Sequence, residues 1–169
     1  CIRDSTTISL EEAYIGKELV ANVQLPSGKE QIINVKIPAG IQNGTVLRVA
    51  GVGDDSVPGI PRGDIHLSVI VTPSTIFERQ NDDLLMTVEV SAFDAMLGTE
   101  VEIKTIDQKT LNVTVAPGTQ PGTVLSIQEY GMPNLHDNRF KGRLLLRIKV
   151  TIPTNLTDTQ KDLLKQARN

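Results

Sequence analysis

The sequence is written twice. Val35-Lys-Ile-Pro-Ala-Gly-Ile-Gln-Asn-Gly-Thr-Val-Leu-Arg-Val49 is echoed by Val113-Thr-Val-Ala-Pro-Gly-Thr-Gln-Pro-Gly-Thr-Val-Leu-Ser-Ile127. Within it Gly40, Gln42, Gly44, Thr45, Val46 and Leu47 recur as Gly118, Gln120, Gly122, Thr123, Val124 and Leu125. The echo runs on from Arg62-Gly63 to Lys141-Gly142. Upstream it runs from Ser9-Leu-Glu-Glu-Ala-Tyr-Ile-Gly16 to Ser91-Ala-Phe-Asp-Ala-Met-Leu-Gly98. Such a repeat predicts two similar folded units, with small insertions confined to turns, and two copies are too few for a solenoid.

Each copy opens on a short helix signature. Ser9 with Glu12, and Ser91 with Asp94, have the spacing of a capping box or a close variant, and Gly16 and Gly98 can stop the helix in a left-handed conformation. The period then drops to two. Leu19, Ala21, Val23 and Leu25 alternate with Val20, Asn22 and Gln24, and Ile65, Leu67, Val69 and Val71 with His66, Ser68 and Ile70, which predicts half-buried strands. Pro26-Ser-Gly28, Pro38-Ala-Gly40, Asn43-Gly44, Pro58-Gly59 and Pro117-Gly118 supply turns at the spacing of short antiparallel strands. The class is therefore mainly β. Thr72 to Asp83 lacks strand pattern and reads as the link between copies, with a boundary near residue 74. At the end, Thr157 and Gln160 cap a helix with Leu163, Leu164 and Ala167 on one apolar side, either packed back on the second unit or used between subunits.

Composition narrows the function. The 169 residues carry 17 Lys and Arg against 20 Asp and Glu, a net charge of −3, with two tyrosines, three phenylalanines and no tryptophan. That leaves little with which to neutralise phosphates or stack bases, so nucleic acid is not an expected partner. No apolar run approaches the ~18 residues of a membrane span. One cysteine, Cys1, excludes an internal disulfide or a multi-cysteine zinc site. The chain opens on Cys1 rather than Met, which reads as a fragment or a processed product, and its polar first residues are no secretory leader.

No catalytic constellation emerges. His66 and His136 are the only histidines, and His66 faces away from the apolar row of its strand, so neither a triad nor a histidine metal cluster can be assembled. The acidic pairs Glu11-Glu12, Asp54-Asp55 and Asp82-Asp83 lie in turns or helix starts, where capping and solvation account for them. Gly51-Val-Gly53 precedes a loop rather than a helix and is no phosphate cradle, and Cys1 has no histidine base nearby. No enzyme, metal or cofactor is expected.

At several motifs the chain resembles the C-terminal substrate-binding region of DnaJ-type J-domain co-chaperones. The likeness rests on Ile8-Ser-Leu-Glu-Glu12 before Gly16-Lys17, Pro61-Arg-Gly-Asp64, Ile76-Phe77 followed by Asp82-Asp-Leu84, Leu97-Gly98, Pro117-Gly-Thr-Gln120, Gly131-Met-Pro133 and Pro153-Thr-Asn-Leu156. The resemblance implies two tandem β-sandwich-like subdomains with short helices and a C-terminal helix. It implies units at 1–74 and 75–154, and at 155–169 the start of a truncated dimerisation element. It further implies a cytoplasmic protein that holds unfolded polypeptide for a DnaK-type chaperone.

Of that family's parts, the J-domain with its His-Pro-Asp signature and the Gly/Phe-rich linker do not occur between Cys1 and Asn169. The Cys-rich zinc module is replaced by Gln24-Leu-Pro-Ser-Gly-Lys29, as in the zinc-free branch. The lysines with which some relatives clamp the partner's acidic tail have no counterpart in Leu19-Val-Ala-Asn-Val23. The expected peptide groove runs along Leu19–Leu25 of the first copy. Ala21, Val23 and Leu67 are its matched positions, and Ile8, Leu19, Ile65 and Val69 are further lining. Leu163, Leu164 and Ala167 are the expected dimer contacts, weak in so short a helix. A structural or adhesion β-repeat module, or an accessory to an enzyme domain upstream, are the rival readings.

Overall fold

A computed structural model describes residues 2–53 and 57–169; Cys1 and the Asp54-Asp55 pair lie outside the described residues. The elements run β1 (Ile2–Ile8), α1 (Leu10–Ile15), β2 (Lys17–Gln24), β3 (Glu30–Ile37), β4 (Val46–Val49), β5 (Ile65–Val71), β6 (Glu78–Gln80) and β7 (Asp83–Ser91). They continue with α2 (Ala92–Leu97), β8 (Thr99–Lys104), β9 (Thr110–Val115), β10 (Val124–Ile127), β11 (Leu144–Thr151) and α3 (Asp158–Arg168).

The duplication is visible in the topology. In the first copy β1 lies parallel to β5 and β4 antiparallel to it, while β2 and β3 form a separate hairpin. In the second, β7 lies parallel to β11, β10 antiparallel to it, and β8 and β9 form the hairpin. Each hairpin lays its inner face on its sheet, which makes two β-sandwich-like units. Val23, Ile33 and Val35 of the first hairpin bury against Ile65 and Leu67 of β5. Val115 of β9 does so against Val90 and Ile148 of the second sheet, together with Ala95 of α2.

The expected helix signals act as read. Ser9 accepts from the Glu12 amide while the Glu12 carboxylate accepts from the Ser9 amide, and Thr157 with Gln160 does the same for α3. Ser91 caps α2 by the single bond from the Asp94 amide. Gly16 and Gly98 end their helices with φ of 85° and 83° but ψ near 150–160°, an extended form reserved for glycine rather than the left-handed helical one.

Two elements depart from expectation. Ile2–Ile8 is a strand although its alternate residues Asp4 and Thr6 are polar, so no period-two signal marked it. The supposed link between copies contains β6, an edge strand on β7 turned at Asn81, whose φ is 56°.

A third core joins the copies. Ile8, Ile37, Ile41 and Val69 of the first copy, with Phe77 of the segment between the copies, bury with Leu84, Ile103, Met132, Leu144 and Leu146 of the second. Arg79 donates across the junction to the carbonyls of Gly40 and Ile41, and Lys141 donates 2.9 Å to the Tyr14 hydroxyl. Gly40 packs so tightly on Pro133 that an added Cβ would fall well under 3.0 Å from its carbonyl oxygen. Gly131 and Gly142 close a backbone loop on Asp82, with Met132 fully buried between them.

Candidate functional site

The expected groove residues sit on the sandwich of the first copy, Leu19, Ala21 and Val23 on β2, Ile65, Leu67 and Val69 on β5 and Ile8 at the end of β1. β2 pairs only with β3 and β1 only with β5, so each presents one unpaired edge, and α1 joins the two. The joint is fixed by Lys17, whose ammonium lies 2.7 Å from the Glu12 carboxylate. That hydrogen bond, with the one from the Ser9 amide, holds the Glu12 carboxyl below its ordinary range. A short helix clamped at both ends therefore sets the separation of the two free edges.

The side chains on those edges differ between the copies. Through the register of the parallel pairs, Asp4, Thr6 and Ile8 stand on the same face as Leu67, Val69 and Val71, and Met86, Val88 and Val90 occupy the matching places in the second copy. Counting from Gly16 and Gly98, Ala21 matches Ile103 and Val20 matches Glu102. In the second copy, Ile103 is buried, and Met86 and Val88 are half-buried and pack against the core. In the first copy the same three places hold Asp4, Thr6 and Ala21, of which Asp4 is exposed and the other two half-buried.

The outer faces differ too. β8 turns Glu100, Glu102 and Lys104 outward, charges of the kind that protect a free strand edge from pairing. β2 turns out Glu18, Val20 and Asn22, and across the hairpin Ile32 is exposed as fully as Val20, each at 72 %. The first copy thus carries the less charged edge.

The seven expected groove residues divide by burial. Leu19 and Ala21 are half-buried and pack on the first core with surface to spare. Val23 and Leu67 are inside it, at 5 % and 4 % exposure. Ile8, Ile65 and Val69 are sealed at 1 % or less, Ile8 and Val69 in the core that joins the copies and Ile65 in the core of the first sandwich, so a ligand reaching them would have to part the sandwich. Asp4, Thr6 and Val20 are residues of the β1–β2 seam that strand alternation did not single out. The signal was available in the repeat, as the mismatch of Asp4 with Met86 and Thr6 with Val88.

On α3 no residue is buried. Leu163 is 58 % exposed, Leu164 half-buried and Ala167 exposed, so the helix does not pack back on the second unit. Among the described residues no group of three His, Cys, Asp or Glu could hold a metal ion, and no helix is long and apolar enough to cross a membrane. The Asp82-Asp83 pair is structural: Asp83 bridges to Arg143 and Asp82 accepts from Asn134.

These features define a duplicated β-sandwich module whose copies differ along β1 and β2. A family model described as the DnaJ C terminal domain matches residues 2–153, and the chain belongs to that family. It is 39 % identical over 129 residues to the chaperone protein DnaJ 1 of Corynebacterium glutamicum, covering 76 % of this chain and 34 % of that one. With the chaperone protein DnaJ of Chlamydia felis the figures are 40 % over 127 residues, 75 % and 32 %. With that of Caldicellulosiruptor bescii they are 38 % over 126 residues, 75 % and 32 %. The chain spans about a third of the length of these relatives.

Proposed function

We propose that the first copy holds unfolded polypeptide by strand addition at the β2 edge, without chemistry, for delivery to a DnaK-type chaperone in the cytoplasm. The observation that carries the reading is the asymmetry of the copies. Where the second copy sets the bulky apolar Ile103, Met86 and Val88, the first sets the smaller or polar Ala21, Asp4 and Thr6. An extended segment docked there gains backbone hydrogen bonds whatever its sequence, and its alternate side chains meet Ala21 and Leu19 above Val23 and Leu67. Affinity is modest because the segment loses its conformational freedom on docking. In this reading residues 1–74 are the binding unit and 75–154 its counterpart. Segment 155–169 begins a dimer contact through Leu163, Leu164 and Ala167, weak in a helix of this length.

The test is to give the first copy the side chains of the second. Ala21→Ile, alone and with Val20→Glu, should leave the circular dichroism spectrum intact and abolish suppression of aggregation of a chemically unfolded model protein. Full suppression by a folded Ala21→Ile, Val20→Glu chain would refute the assignment.

A further inference from the structure

A cleft of about 900 Å³ opens where the copies meet, away from the seam residues just described. Val71, Phe77 and Leu85 give it an apolar floor, and Arg79 and Arg147 line it. Arg79 is tied down by three bonds, all to neutral backbone oxygens: those of Gly40, Ile41 and Asn81. Burial lowers its pKa, against a smaller opposing pull from Asp82, yet no carboxylate forms an ion pair with it among the described residues. Arg147 stands on the outer face of β11 between Thr87 and Val124, and its side chain makes no hydrogen bond or ion pair with any described residue. Glu78 is the one carboxylate on the lining, and it pairs with neither arginine.

Two cations without a carboxylate partner, set over an apolar floor, form a complementary surface for an anion carried on an apolar body. Guanidinium groups take a carboxylate through paired N–H donors, and the exchange of water for such a partner is most favourable where the site is partly dry. The backbone of β6 pairs only with β7, so its outer edge is open to an extended chain running through the cleft. We infer that this cleft binds an extended polypeptide segment bearing an aspartate or glutamate side chain next to apolar ones, at a site separate from the seam of the first copy.

Because the chain has no tryptophan, a tryptophan in the ligand reports binding by its own fluorescence anisotropy. The probes are two peptides blocked at both ends, acetyl-Ser-Trp-Leu-Glu-Leu-Ser-amide and its Gln counterpart, titrated with the 169-residue chain. The Glu peptide should bind about tenfold tighter at low salt, and the margin should shrink as salt rises. Arg147→Gln and Thr87→Glu, each on an exposed strand position, should erase that margin, whereas Ala21→Ile should leave it. Equal binding of the two peptides would overturn the inference. So would a margin that survives in folded Arg147→Gln and Thr87→Glu chains, or one lost in Ala21→Ile, which would place the acidic segment in the seam.

Discussion

At the scale of single residues, the duplication supplies its own controls. Gly40 and Gly118 hold the same turn with φ of 83° and 80°, but only Gly40 is pressed against another backbone, that of Pro133, while Gly118 has open space. An alanine at 118 carries just the cost of a left-handed conformation, about 1–2 kcal/mol. At 40 it adds an overpacking cost of about 1–3 kcal/mol. Scanning calorimetry should show Gly40→Ala lowering the melting temperature well beyond Gly118→Ala, at roughly 2–4 °C per kcal/mol for a chain of this size. Acid sensitivity is also a residue property. Arg143 donates both its guanidinium and its amide to Asp83, which holds that carboxyl below its ordinary range. A carboxyl with a depressed folded pKa stabilises fully above its unfolded value, near 3.9, and that contribution disappears as pH falls through the folded one. The stability gap between wild type and Asp83→Asn should therefore be present at pH 7 and close as pH drops below about 4, as read by urea midpoints along a pH series.

Elements were legible in proportion to how much of their pattern was apolar. β2 and β5 alternate strictly, and the strands appear where Leu19, Ala21, Val23 and Ile65, Leu67, Val69 place them. β1 carries the polar Asp4 and Thr6 in register with Leu67 and Val69 and gives no such signal, since Asp4 is exposed and Thr6 only half-buried. β6 is too short for any period; its pairing to β7 comes from the tight turn at Asn81. The last helix shows the reverse case, a strong capping box and apolar stripe on an element that packs on nothing in its own chain. Deleting residues 157–169 should accordingly shift the urea midpoint by less than about 0.5 kcal/mol equivalent, and a larger loss would mean that α3 packs on the second unit in solution.

For the molecule as a whole, the junction matters more than the division into copies. The core shared by Ile37, Ile41 and Phe77 with Met132, Leu144 and Leu146 is continuous, and Arg79 satisfies carbonyls of one copy from the other. The two units should therefore unfold together, in one calorimetric transition whose van't Hoff and calorimetric enthalpies agree. Replacing Arg79 by Met leaves the Gly40 and Ile41 carbonyls without that donor, at about 1–3 kcal/mol. Native-state hydrogen exchange should then quicken in β5 and β11 alike. Exchange that quickened in one sheet only would show the copies to be independent.

The amino-acid sequence by itself determined the duplication, the class of structure and the family, because these rest on local signals: identical turn residues, period-two alternation, helix caps and the order of short motifs. It also marked Ala21, Val23 and Leu67 as residues of one sandwich. What only the tertiary structure decided is which surfaces remain. Alternation tells which side of a strand is apolar but not what covers it, so Ile8, Ile65 and Val69 read like Leu19 and Ala21 until the junction core is seen to seal Ile8 and Val69 and the first sandwich's core Ile65. Gly131-Met-Pro133 likewise reads as a family motif in sequence and acts in the fold as the plug between copies. The cleft lined by Arg79 and Arg147 exists solely because residues far apart in the chain meet there, and no local period records such a meeting.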